Sequence, residues 1–300
     1  MNCYNGEKYL REAIDSVLAQ TFKNWELIFW DNRSTDGSAE IFHSYEDSRL
    51  RYFLAPKHTN LGSGRAQAWR HLNAEFVGII DTDDVWLPRK IEEQLKCFHP
   101  LDVGICITNV ELFREKRKRV LYNEDPPEGW VTNNLLKNYY VVLTSVVLRR
   151  SSIQSLDYAL DPEFSHIADF DLITRLSTSV KLAYVPTVLT RVRVHADSES
   201  ARHREKFSAE RKSWIAKNRN SPIFSNYSCS LKQMIKDARI SSALDCLQVG
   251  DNKKVRKEVE SLGLGYPKAL VVYVCSFLPM SRYLLKLGRL LQPIPWWERY

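Results

Sequence analysis

The chain has 300 residues, is 44% hydrophobic and carries a formal charge of +7, which allows one large α/β domain or a domain with an appendage. The basic excess lies in the last third: residues 1–200 sum to roughly −4 and residues 201–300 to roughly +11, an asymmetry that points to a polyanionic partner. No run of about 20 uncharged apolar residues exists, so no membrane-spanning helix is expected. The six cysteines form no CxxC pair, which argues against a zinc site or disulfide framework and fits a reducing cytosol.

In chain order, the start Met1-Asn2-Cys3-Tyr4-Asn5-Gly6 is polar and turn-like, without a signal-peptide pattern. Residues 7–20 then place Leu10, Ile14, Val17 and Leu18 on one helical face. Residues 25–30 (WELIFW) read as a strand, stopped by the polar turn 31–38, and a helix follows to about residue 45. Residues 50–54 make another short strand. Asn60-Leu61-Gly62 is a turn, and a helix over 63–73 leads into Phe76-Val77-Gly78-Ile79-Ile80, which reads as a strand covered on both faces. A further helix follows Pro88. The alternation predicts an α/β fold, a doubly wound mixed or parallel sheet flanked by helices. The strand that should precede the first helix, at mid-sheet, is missing, which reads as a truncated start.

From 102 to 200 the strands are shorter, with a basic run at 114–119 that suits a solvated hairpin edge. Beyond about 203 the composition turns to basic helices, with candidates at 230–247 and 252–262. The stretch 266–291 reads either as an amphipathic helix lying in a membrane interface or as a helix packed on the preceding domain. Two regions are therefore expected, 1–203 and a helical basic extension, 204–300.

The chemistry concentrates at Asp81, Asp83 and Asp84, directly after the apolar strand. Ligands in open sheets gather outside the carboxyl ends of strands. Three acids crowded there repel one another, so a compensating cation is expected, and oxygen donors suit Mg²⁺ or Mn²⁺ better than zinc. A solvated acidic turn capping the next helix is the bland alternative.

Taken together, several segments resemble the family 2 glycosyltransferases, inverting enzymes of the GT-A fold, over about residues 2–200. They are Cys3-Tyr4-Asn5-Gly6-Glu7-Lys8-Tyr9-Leu10, Ser16-Val17-Leu18-Ala19-Gln20-Thr21, Trp25-Glu26-Leu27-Ile28, Asp31-Asn32-Arg33-Ser34-Thr35-Asp36-Gly37-Ser38, Asn60-Leu61-Gly62 and Asp81-Thr82-Asp83-Asp84-Val85-Trp86-Leu87-Pro88. The resemblance implies that Asp31 bonds the nucleobase of a nucleotide-sugar donor, that Asn5, Asp81, Asp83 and Arg65 line the donor site, and that Asp83, Asp84 and His195 hold Mn²⁺ or Mg²⁺. It also implies a catalytic base at Asp169, within His166-Ile167-Ala168-Asp169-Phe170-Asp171. Ala168 departs from the family's usual Glu, and Gln67 stands where many relatives carry Arg, a role that Arg65 would take over. Arg193-Val194-His195 resembles the family's R-x-H element. The implied acceptor is a glycan or lipid-linked saccharide. The implied location is cytoplasmic, peripheral on the inner membrane face, with the C-terminal helices meeting an anionic surface.

Other classes fit less well. Gly78 to Val85 also matches the strand–DxDx(T/V) signature of haloacid-dehalogenase-like phosphatases, but about 80 residues precede it and no late acidic pair follows. Gly62-Ser63-Gly64 lacks the third glycine of a dinucleotide fingerprint. A degenerate, non-catalytic binder of membrane or nucleic acid would not need Asp31, Asp83, Asp84 and Asp169 together, and no nucleic-acid motif is present.

Overall fold

The computed structural model describes residues 1–198, 202–248, 251–260 and 272, so most of the stretch 266–291 lies outside the described residues. The chain divides into two compact units, one of residues 1–132 and 140–210, the other of 133–139 and 211–300.

The first unit opens with β1 (Asn2–Cys3), α1 (Glu7–Leu18), β2 (Leu27–Asp31), α2 (Ser38–His43), β3 (Leu50–Leu54) and α3 (Leu61–Trp69). The strands form a parallel sheet in the order β1-β2-β3. A two-residue strand therefore occupies the place before the first helix, where the sequence indicates none. All five residues of β2 are buried because both sheet faces are covered. Leu10, Ile14 and Val17 of α1 pack with Phe29, Phe42 and Trp86 on one face. Trp30, Ala55 and Ala68 pack on the other.

Next come β4 (Phe76–Gly78), β5 (Val85–Trp86), α4 (Lys90–Lys96), the long β6 (Val103–Arg114), β7 (Arg117–Val120) and α5 (Thr132–Lys137). After these stand β8 (Val147–Arg149), α6 (Arg150–Gln154), α7 (Ala168–Leu176), the thirteen-residue β9 (Lys181–Arg193) and α8 (Arg204–Asn218). Five of these strands run in the order β4-β8-β6-β9-β5, with β7 paired to β6 as the exposed basic hairpin. Of the mixed and parallel alternatives, this sheet is the mixed one. The strand before the acids is shorter than the sequence suggests, lies at the end of this mixed sheet and pairs antiparallel with β8. Gly78 is required there by space, since a Cβ would come within 2.8 Å of the Trp86 ring. β6 and β9 pair in parallel from Val103↔Lys181 to Phe113↔Arg193, with irregularities at 108–110.

In the second unit, Trp214 is fully buried and meets Phe224 edge-on at 5.3 Å. Helices α9 (Ser228–Gln248) and α10 (Asn252–Glu260) pack through Ile240, Leu244 and Leu247 against Val255 and Val259. Among the described residues, no helix is long and apolar enough to cross a membrane.

Candidate active site

The turn after β4 is gripped from three directions. A Cβ at Gly6 would meet the Thr82 side chain at 3.1 Å, so the loop before α1 lies directly against it. Arg65 projects from α3 and its guanidinium bonds Asp81 Oδ1 at 2.5 Å. From the end of β9, the Arg193 backbone N–H donates to Asp84 Oδ1 at 3.0 Å and its side chain donates to the Asp83 carbonyl at 3.1 Å. The same guanidinium pairs with Glu12 and lies over the Tyr9 and Phe113 rings. These contacts fix where each carboxylate points.

Asp83 and His195 face each other, Oδ2 to Nε2, at 2.9 Å, although 112 positions separate them. Both stay partly exposed, at 28% and 17% of the side chain. His195 Nδ1 is buried and has no hydrogen-bond partner among the described residues. A carboxylate oxygen and an imidazole nitrogen are a donor pair that Mn²⁺ or Mg²⁺ can use. No third His, Cys, Asp or Glu joins them into a metal cluster among the described residues, so further donors would come from the ligand.

Asp84, the other carboxylate expected to hold the cation, lies deeper than Asp83. It is 5% exposed, bonded to the β9 backbone, and burial followed by the neighbouring charges of Asp83 and Asp81 pushes its pKa well above the ordinary carboxylate value. Its place is behind the turn, joining the turn to β9. Asp81 is likewise committed to Arg65. That contact brings Arg65 to the acidic turn.

Asp31, expected at the nucleobase, ends β2. It is 1% exposed, with Oδ1 accepting the Ser34 N–H at 2.7 Å and Oδ2 the Tyr52 hydroxyl at 2.5 Å. Burial and the Asp31 charge together push the Tyr52 phenol pKa up, so Tyr52 remains a donor. Asp31 therefore braces the loop 33–37, in which Arg33 and Thr35 are exposed. Asn5, exposed and at φ +54°, accepts the Thr35 N–H at 2.8 Å and ties the loop before α1 to the same turn. Asp36 accepts the N–H groups of Glu7 and Ser38, at 3.0 and 3.1 Å, and so serves the starts of α1 and α2.

Asp169 stands half-buried in the first turn of α7, where the helix dipole favours a carboxylate. Asp171 is structural: it is fully buried and grips Arg175 one turn later through both oxygens, at 2.6 to 3.1 Å. The segment before α7 touches α3 by backbone, since a Cβ at Gly62 would come within 2.2 Å of the Phe164 carbonyl oxygen. Helix α3 therefore touches both the acidic turn, through Arg65, and the segment leading to Asp169, through Gly62. Tyr52 and Glu210, whose carboxylate reaches the start of α7, escape sequence reasoning; no local pattern marks either, because their partners are 21 and more than 40 residues away.

The family described as Glycosyl transferase family 2 matches residues 1–150. The chain is similar to the Escherichia coli enzyme UDP-Glc:alpha-D-GlcNAc-diphosphoundecaprenol beta-1,3-glucosyltransferase WfgD, with 27% identity over 57% of this chain and 66% of that one. It is also similar to WfaP of Escherichia coli, which bears the same description, with 26% identity over 66% of this chain and 77% of that one. Several other curated relatives are matched over about 60% of their own length. Among solved structures, Staphylococcus aureus TarS (residues 1–349, with UDP) superposes with a TM-score of 0.66 at 15% identity, covering 96% of this chain and 90% of that one. Mannosyltransferase PcManGT of Pyrobaculum calidifontis, with GDP-Man and Mn²⁺, gives 0.59 at 16% identity, covering 97% and 78%. At such identities the structural likeness speaks for the fold.

Proposed function

Because the chain belongs to glycosyl transferase family 2, we propose that it transfers a sugar from a nucleotide-sugar donor to an acceptor hydroxyl, inverting the anomeric carbon. The observation that carries this reading is the meeting of Asp83 and His195 beside the Arg65–Asp81 pair. That arrangement is suited to the diphosphate end of a donor.

In this mechanism Asp169 takes the proton from the acceptor hydroxyl, whose oxygen attacks the anomeric carbon from the face opposite the nucleoside diphosphate. The bond from that carbon to the diphosphate oxygen breaks, and the electron pair leaves with the diphosphate. Asp83 and His195 would hold Mn²⁺ or Mg²⁺, which supplies Lewis acidity toward the developing oxyanion. Arg65 holds Asp81 in place beside them, and Arg193 ties the turn to the end of β9. Asn5 and the loop braced by Asp31 border the donor's nucleoside.

A UDP-sugar is the first donor to test, since the WfgD description names UDP-Glc and TarS was solved with UDP. A lipid-linked saccharide is the acceptor class to test first, since WfgD acts on a diphosphoundecaprenol-linked sugar. Such an acceptor would place the chain on the inner face of the cytoplasmic membrane, with the basic helices beyond residue 210 facing the anionic surface.

The direct test is a screen of nucleotide sugars, with and without Mn²⁺, for thermal stabilisation, because a ligand that binds only the native state raises the melting point. One nucleotide class should stabilise the protein in a Mn²⁺-dependent way, and D83N and H195A should each abolish the metal dependence. No stabilisation by any nucleotide sugar, together with turnover of small phosphoesters, would overturn the proposal.

A further inference from the structure

The start of α7 has no cap of its own. Ile167 occupies the N-cap position and can offer no side-chain acceptor, and Ala168 follows it. The carboxylate that the sequence lacks at 168 comes instead from α8. Glu210 Oε2 accepts the backbone N–H groups of Ser165, His166 and Ile167 at 3.0, 2.8 and 3.1 Å. Its Oε1 takes the Nδ1–H of His166 at 2.7 Å, which fixes that tautomer because a carboxylate only accepts.

Three further contacts make this a clamp rather than a chance ion pair. Phe207, one turn before Glu210, meets the His166 ring edge-on at 5.4 Å, and His203 does so at 5.6 Å. Residues 203, 207 and 210 thus present one face to the segment. On its other side Phe164 is fully buried, and its carbonyl abuts Gly62 of α3. The segment 164–167 is held between α3 and α8, and Asp169 follows it by two residues. Hydrogen bonds to a charged acceptor are about twice as strong as neutral ones, and four of them converge on one carboxylate here.

We propose that Glu210 is a positioning residue for the transfer reaction: by fixing the backbone of 165–167 it holds Asp169 where it can take the acceptor's proton. This inference rests on the proposed function and adds to it a residue outside the motif-bearing first 200 positions. A side chain displaced by about 1 Å can forfeit two orders of magnitude in rate, so the clamp should be read in turnover rather than in donor affinity.

The test uses the full chain carrying E210A or E210Q, with a donor and acceptor that the wild type turns over, and reads two quantities. Amide hydrogen exchange at 165–167 should quicken about tenfold or more in E210A. In the same variant kcat should fall at least about tenfold while the donor KM stays within about twofold. E210Q keeps one carbonyl oxygen for the three N–H groups, and its amide N–H can donate to Nδ1 of His166 in the other imidazole tautomer, so it should restore both quantities most of the way. If exchange quickens while kcat stays within about twofold of wild type, Glu210 is structural only and the inference falls alone. If the donor KM rises in parallel with the loss of kcat, the site has been disturbed as a whole and the inference also falls. A wild type that transfers no sugar from any donor would remove the proposed function, and this inference with it. Unchanged exchange in E210A would refute the clamp irrespective of activity.

Discussion

Replacing Asp169 by Asn keeps the volume of the side chain and removes its ability to accept a proton at neutral pH. If it is the base, D169N lowers kcat by about 10² to 10⁴, the range general-base catalysis contributes, while nucleoside diphosphate affinity by calorimetry stays within about twofold. Simultaneous loss of binding would count against the assignment. Lys90 offers a second residue-level prediction, in the fold rather than the chemistry. It is fully buried, 4.0 Å over the Trp86 ring, and donates to Gln94 Oε1 at 2.8 Å. Burial pushes its pKa down to about 7, against about 10.4 for lysine in an unfolded chain. Between those values the unfolded chain holds a proton that the fold lacks, so this group makes stability rise with pH from about 7 to about 10. The linkage alone amounts to roughly 4 kcal/mol at pH 7, and the acceptor on Gln94 stranded by an apolar replacement offsets part of it. K90M should therefore gain on the order of 2 kcal/mol at pH 7 and turn destabilising by about 1–2 kcal/mol near pH 10, where only the stranded Gln94 acceptor remains, as read from urea midpoints across that range.

Among the elements, α3 carries the sharpest structural demand. Alanine is normally about 1 kcal/mol better than glycine in a helix. At Gly62 the sign reverses, because the added carbon would sit 2.2 Å from a backbone carbonyl that cannot rotate away. G62A should cost roughly 1–3 kcal/mol in denaturant unfolding and lower kcat as well, since the relieving movement displaces the segment before Asp169. A stabilised G62A would show that this contact is not made in solution. Apart from β1 and β5, the order of elements through α4 was readable from periodicity and turn residues, and Asp83 and Asp169 could be singled out because each lies in a local motif. The direction of β4 was not, since an apolar run reads the same whether its neighbour is parallel or antiparallel. The inward turn of Asp84 and the engagement of Asp31 by Tyr52 also escaped. Side-chain direction after a strand is set by partners, here Arg193 and Tyr52, that arrive from far along the chain.

On the scale of the whole molecule, charge is the dominant asymmetry, with roughly +11 in the last hundred residues. Helix α10 buries Val255 and Val259 and exposes Lys253, Lys254 and Lys257. If the basic end meets an anionic membrane, the chain should co-sediment with vesicles containing phosphatidylglycerol and not with phosphatidylcholine alone, and binding should weaken steeply as salt rises. Reversing Lys253, Lys254 and Lys257 to Glu should weaken binding by more than tenfold, at about 1 kcal/mol per basic residue near the surface. Binding that ignores salt and these charges would point to an apolar contact instead.

The length of β9 has a consequence for how such a scaffold can diversify. Its ladder with β6 resumes after the irregularities and runs through to Phe113↔Arg193, and Arg193 locks onto the acidic turn, so His195 hangs from a rod fastened along most of its length. The tip at 115–116 belongs to the neighbouring hairpin and makes no part of that fastening. A chimaera that exchanges this tip for a foreign loop should keep Asp83 and His195 in register, so sequence change at the hairpin tip is decoupled from the placement of that pair.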